Sequence, residues 1–198
     1  MLLSEKYKLI CLNPPKTGSF FRELLFKKYN PHLGFFSGHG RHANLKQAVY
    51  FLNRRGLKPE DFYIFTFTRN PWVRAASWLD MTLNKHKQEH MTFDRICQRL
   101  KNWAKFGLYT NPDWGLNVDF IGDCEHQTEQ IAQLFEKLGI PLHIPYKRLN
   151  RRMSNKYKWK TNKNDIYKSF YEKDPEAIKK IGNIERYIID KKKYIFEL

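Results

Sequence analysis

Two junctions in this chain place cationic and hydroxyl side chains where an apolar run turns into a helix, and both invite an anion. The first is "NPPKTGSFF", residues 13–21, which follows the apolar run "YKLICLN". In a strand–turn–helix of this kind the backbone N–H groups at the helix start point at an anion, and the helix dipole favours it. Lys16 adds a full charge and Gly18 lets the backbone approach closely. The same residues also read as a lysine-bearing loop that caps a helix through Thr17 or Ser19. The second junction is "YIFTFTRNPWVRAASW", residues 63–78: the strand tip delivers Arg69, and Ser77 follows eight positions later, two helical turns on. A guanidinium grips phosphate through charge-assisted, bidentate hydrogen bonds. Between the junctions, "SGHGRHANLK" carries His39 and His42, the residue type suited to move a proton near neutral pH. The alternatives are surface loop histidines or a metal half-site, the last being weakest because no Asp/Glu cluster accompanies them.

The elements that must position these residues follow from period and punctuation. Residues 7–13 and 62–68 are short apolar runs closed by turn signals, hence buried strands, and "VDFIGDCEH" suggests a third. Helical spacing covers "TGSFFRELLFKKY", "LKQAVYFLNRRG" up to Gly56, the stretch from Pro71, residues 92–105 and "TEQIAQLFEKLGI" up to Gly139. Two more helices are expected near 164–173 and 175–186, and "NPHLGFFSGHGRHAN" reads as a loop. Strands alternating with helices predict an α/β fold with a central parallel sheet and helices on both faces. Ligands in such sheets gather at the carboxyl ends of the strands. Cys124-Glu125-His126 reads as a strand-to-helix junction and not as a thiol triad, since sequence neighbours point in different directions.

A length of 198 residues suits one substantial domain, expected over 1–198, with a basic, aromatic segment at 147–198. Lys+Arg 36 against Asp+Glu 20 leaves a net charge of +16, so the partners are expected to be anionic: nucleic acid, a phosphorylated cofactor, an acidic glycan or a membrane surface. The three cysteines show no CxxC pairing, which predicts a reducing compartment and no structural zinc, with Cys11 in the core. No stretch approaches the about 20 apolar residues of a membrane span, so a soluble, cytoplasmic protein is expected.

The order of the first motif matters, because Lys16 precedes the glycine and GxxxxGK[ST] is not matched. Pro15-Lys16-Thr17-Gly18-Ser19 resembles, over five consecutive positions, the loop PK[ST]G[ST][ST] of sulfotransferases that use 3′-phosphoadenosine 5′-phosphosulfate. Phe20 departs from it where a hydroxyl is usual, so one side-chain contact to the 5′-phosphate is expected to be missing. "RNPWVRAAS" is similar to the family's second element, RxPxxRxxS, whose arginine and serine hold the 3′-phosphate; here these are Arg69 and Ser77. "DFIGDCEHQTEQIAQLFEKLGIP" resembles the family's third strand and following helix, where a glutamate like Glu125 recurs. The resemblance spans most of residues 7 to 150. The glycine-rich carboxy-terminal motif of small-molecule sulfotransferases is absent, which points to the glycan-modifying type and its bacterial or viral relatives.

The resemblance implies a P-loop-like three-layer sandwich and a sulfonate transfer from this donor to an acceptor hydroxyl, expected on a carbohydrate and open to an acidic one, with 3′-phosphoadenosine 5′-phosphate as product and no metal. Lys16 would stabilise the leaving phosphate oxygen. His42, just before a short helix, best resembles the family's base, with His39 in reserve. Arg148, Asn150, Arg151 and Arg152 would close over the nucleotide or grip an acidic acceptor, or form a solvated basic face. Tyr157, Trp159, Tyr167 and Tyr171 would stack on sugar or adenine, or belong to the core. Two rival classes remain. A P-loop-like kinase or hydrolase needs a carboxylate at a strand end to hold magnesium, whereas the two buried strands end in Asn13 and Arg69. A basic nucleic-acid-binding protein, the less expected partner class, would bind with steep salt dependence and indifference to the nucleotide.

Overall fold

Apolar runs become strands and apolar stripes become helices in the computed structural model, which describes residues 1–38, 40, 42–85, 89–105, 110–111, 116–145, 163–193 and 195–196. The fold is mixed α/β. Its contacts divide into two compact units, Met1–Thr68 with Phe106–Asn155, and Arg69–Lys105 with Lys156–Leu198.

The first unit holds the sheet. Its strands are β1 (Leu2–Ser4), β2 (Leu9–Leu12), β3 (Phe36–Ser37), β4 (Tyr63–Thr68) and β7 (Phe120–Asp123), in the order β3-β1-β2-β4-β7; a separate ribbon pairs β5 (Thr110–Asn111) with β6 (Leu116–Asn117). β2, β4 and β7 run parallel, with Leu12 opposite Thr66 and Thr68 opposite Asp123. The sheet as a whole is mixed: β1 pairs antiparallel with both β2 and β3. The link from Ser4 to Leu9 is a tight turn closed by the Lys8 N–H on the Glu5 carbonyl, with Lys8 at φ 51°, and so short a link permits only an antiparallel pair.

Both parities of β2 and β4 are buried, as strands covered on two faces must be. On one face Leu9, Cys11, Phe65 and Phe67 pack with Phe21, Leu25, Phe26, Ile131, Leu134 and Phe135. Phe26 stacks on Phe35 and Phe135 at centroid distances of 4.6 and 5.4 Å. Full burial of each such ring is worth about 1.5–3 kcal/mol. The helices of this unit are α1 (Ser19–Glu23), continued by a π-helical turn Leu24–Tyr29, α2 (Leu45–Arg54), and α5 (Gln127–Lys137). Leu45, Ala48, Val49 and Leu52 form the buried stripe of α2, which opens with a capping box between Asn44 and Gln47. Gly56 and Gly139 follow α2 and α5 at φ 68° and 64°, the left-handed stop expected of them.

The second unit is helical in its described residues: α3 (Pro71–Asp80) and its π-helical extension Met81–Lys85, α4 (Phe93–Lys105), α6 (Lys163–Lys173), α7 (Glu176–Ile184) and α8 (Arg186–Lys192). The helix expected over 175–186 is therefore interrupted at Glu185. Tyr167 and Tyr171 belong to the core with Trp72, Ile96 and Ile181; Tyr171 donates its hydroxyl to the Trp72 carbonyl at 2.8 Å and stacks on Phe93. Tyr157 and Trp159 lie outside the described residues. No described helix is long and apolar enough to cross a membrane.

Candidate functional site

The loop Asn13–Gly18 leaves the carboxyl end of β2 and feeds α1. Lys16 and Gly18 both have positive φ, 67° and 80°, so the backbone folds back sharply on either side of Thr17. For lysine this conformation costs about 1–2 kcal/mol, and the surroundings must hold it. They do so through Thr17, which is fully buried, donates its hydroxyl to the Pro14 carbonyl at 2.8 Å and accepts from Arg22 Nη2 at 3.0 Å. Capping by Thr17 or Ser19 is not what holds this helix start, because its N-cap is Gly18, without a side-chain bond. The first turn of α1 contains no acidic residue. Pro15, Lys16 and Ser19 are half-buried and Phe20 is exposed.

Gly18 fits nothing larger. A Cβ there would come within 2.7 Å of the Gln127 amide, at a φ that side chains rarely adopt. Gly18→Ala is expected to lower stability by about 1–3 kcal/mol, read as a lowered urea midpoint with unchanged slope. A midpoint equal to the wild type's would show that the loop is not held in this form.

Sequence reading overlooked Arg22, which looks like one more basic residue on an amphipathic helix. Its side chain is fully buried behind the loop. The guanidinium donates from Nε to Asn13 Oδ1 at 2.9 Å and from Nη1 to the Thr17 carbonyl at 2.5 Å and Gln127 Oε1 at 3.1 Å, and lies over the Phe67 ring. Burial holds its proton affinity below the usual arginine range, while the neighbouring Cys11 and Cys124 sulfurs oppose that shift. Cys11 is core, as expected, and burial pushes its thiol up to about 11, so it is a neutral neighbour at pH 7.

His42 is half-buried just ahead of α2. Its Nδ1 lies 2.8 Å from the backbone carbonyl of Asn13, the residue that opens the loop. A carbonyl only accepts, so Nδ1 carries a proton, and in the neutral imidazole the lone pair is then on Nε2. One asparagine thus joins strand end, loop and histidine: its side chain holds Arg22 and its carbonyl holds His42. His39 lies outside the described residues, as do Arg148, Asn150, Arg151 and Arg152.

In the second unit Arg69 is half-buried directly before the N-cap of α3. That cap is Asn70, whose side chain accepts from the N–H groups of Trp72 and Val73, with Pro71 in the first turn. Ser77 lies on α3 and is only 7% exposed. Arg74, between them, pairs in the interior with Glu185 at 2.5 Å and so belongs to the frame of the helices.

Cys124–His126 form a single 3-10 turn between β7 and α5, the junction expected of them. Ahead of it, β7 ends in Asp123, whose N–H donates to Gln130 Oε1 and whose carboxylate accepts from the same amide. A carboxylate therefore does stand at the carboxyl end of a parallel strand, a point missed from the first two strands alone. Among the described residues no three His, Cys, Asp or Glu side chains are grouped to hold a metal ion.

No family model and no solved structure matches the chain. An uncharacterized protein of Archaeoglobus fulgidus is 32% identical to it over 113 residues, which takes in 54% of this chain and 92% of the archaeal protein. With nearly the whole archaeal chain matched at that identity, the protein belongs to one family with this uncharacterized archaeal protein.

Proposed function

We propose that the protein is a sulfotransferase acting on an acceptor hydroxyl, on a carbohydrate, with 3′-phosphoadenosine 5′-phosphosulfate as donor. The observation that carries this reading is the His42 Nδ1 bond to the Asn13 carbonyl, which ties a histidine with its lone pair on Nε2 to the strand end that opens the Lys16 loop. The arrangement suits an α/β enzyme of the P-loop-like, three-layer kind.

The loop residues fit an anionic nucleotide: positive φ at Lys16 and Gly18, no carboxylate in the first turn that follows, and a buried guanidinium behind. When bound, the nucleotide supplies the sulfuryl group, which passes to the acceptor oxygen as its bond to the 5′-phosphate oxygen breaks. His42 takes the acceptor's proton on Nε2, and its Nδ1–H is held by Asn13 throughout. Lys16 stabilises the charge that builds on the departing phosphate oxygen. Motif resemblance assigns Arg69 and Ser77 to the 3′-phosphate. Phe20 leaves the backbone and Lys16 to do most of the work at the 5′ end.

The test is calorimetric titration with 3′-phosphoadenosine 5′-phosphate, without magnesium, beside AMP and ATP. Micromolar binding of the bisphosphate and much weaker binding of AMP supports the reading. Arg69→Ala should then weaken the bisphosphate about 10–100-fold and leave AMP unchanged, because it removes a charge-assisted contact to the 3′-phosphate alone. Wild-type affinity in that variant would remove Arg69 from the site. Equal, salt-sensitive binding of all three nucleotides would instead be the signature of the +16 charge.

Asp123 favours one second reading, a magnesium-dependent nucleotide kinase or hydrolase, since β7 ends there in a carboxylate next to β4. It requires ATP binding that strengthens with magnesium and weakens in Asp123→Asn.

A further inference from the structure

We infer that Arg22 is the positioning residue of the Asn13–Gly18 loop, holding it in shape for the phosphate end of a nucleotide and providing a buried charge that this anion compensates. The inference deepens the proposed function and rests on its loop as a phosphate site.

Arg22 is 0% exposed, yet its hydrogen-bond partners are a side-chain amide oxygen from each of Asn13 and Gln127, a backbone carbonyl and a hydroxyl. All are uncharged. A buried guanidinium normally meets a carboxylate, because desolvation is costly and neutral acceptors offset only part of it. The contrast within the same chain is Arg74, equally buried, which meets Glu185. The charge of Arg22 therefore lies directly behind a loop whose other side is the candidate anion site, and a charge at that range acts strongly through a dry interior.

Geometry points the same way. The Thr17 carbonyl is turned inward onto Nη1. In a trans peptide the next N–H points opposite to the carbonyl, so the Gly18 N–H is directed away from Arg22. Arg22 also fixes Asn13, which in turn fixes the His42 ring. One side chain thus sets the direction of a loop N–H and holds the side chain of the residue whose carbonyl meets the candidate base. None of this needs Arg22 to touch the ligand.

Two variants separate positioning and charge from mere packing. Arg22→Lys keeps the cation and loses the fork. Asn13→Asp keeps the size and the acceptor for Nε but places a carboxylate against Arg22, compensating it internally. The probes are 3′-phosphoadenosine 5′-phosphate and inorganic pyrophosphate, measured by calorimetry beside thermal unfolding, with Lys16→Ala as reference. Arg22→Lys is expected to bind both probes at least about 10-fold more weakly. Asn13→Asp is expected to melt at or above the wild-type temperature and still bind pyrophosphate more weakly. That opposite movement of stability and affinity is what a purely structural arginine does not produce. Should Arg22→Lys fail to fold, Asn13→Asp decides alone. Wild-type affinity in the folded variants, with binding lost in Lys16→Ala, overturns the inference and leaves the phosphate loop standing. Pyrophosphate binding that depends on Arg22, without preference for the bisphosphate over AMP, upholds the inference and sinks the donor assignment. A wild type that binds neither probe overturns both.

Discussion

Replacing His42 by alanine is expected to lower sulfonate transfer by about 10²–10⁴-fold while affinity for 3′-phosphoadenosine 5′-phosphate is unchanged. The two halves of that expectation come from different atoms. Transfer needs a lone pair at Nε2 to take the acceptor's proton, and alanine removes it. On the proposed reading nucleotide binding relies on Lys16 and the loop backbone, and the Asn13 carbonyl that accepts from Nδ1 can accept from water instead. His42→Asn sharpens the comparison, because it retains an N–H donor close to Nδ1 and has no base at Nε2. It should lose as much turnover as the alanine variant. If His42→Asn keeps most of the activity, orientation of Asn13 is the residue's contribution and the base lies elsewhere, with His39→Ala the next variant to assay. If nucleotide affinity collapses together with turnover, His42 supports the loop and is not a base.

What could be read in the sequence divides along the range of the interactions involved. β4 and α3 were legible because their signals are local: an apolar β-branched run, then Asn70 and Pro71 at a helix start. α5 was legible from its period and from Gly139, whose left-handed φ of 64° ends it. β1 was not, since Leu2–Ser4 is too short to show a period of two, and the antiparallel pairing that makes the sheet mixed depends on its turn. The site shows the same division. Lys16, Gly18 and His42 stood out by type and spacing. The bond that orients His42 spans 29 residues of sequence and left no local trace. Arg22 was missed for the same reason, since Gln127, 105 positions away, is part of what surrounds it. Ser77 was placed on its helix correctly, but its burial follows from neighbouring helices that no pattern within residues 63–78 could reveal.

The largest stability effect is expected at Arg74 and Glu185. Both side chains are almost fully buried, at 3% and 6% exposure, and Nη2 lies 2.5 Å from Oε1. Arg74 belongs to α3, the helix that carries Ser77, and Glu185 is the residue at which α7 stops and α8 starts. Removing Arg74 leaves the buried Glu185 carboxylate without its guanidinium, which costs about 3–5 kcal/mol. Arg74→Met should therefore lower the unfolding free energy by that amount in urea, and Glu185→Gln, which keeps a neutral acceptor for Arg74, should lower it as well. Methionine matches the length of the arginine stem, so the loss measures charge and hydrogen bonding more than an empty cavity. The double variant Arg74→Met/Glu185→Leu should recover much of it, since two apolar side chains of similar volume replace a buried pair at little net cost. A loss under about 1 kcal/mol in both single variants would mean that the pair behaves like a solvated surface bridge and does not hold α3 in place. If the prediction holds, the consequence reaches binding. On the proposed reading, affinity for 3′-phosphoadenosine 5′-phosphate should fall in the single variants with the ordering of α3 and return in the double variant with stability, because Arg69 would still lead into a restored helix that carries Ser77.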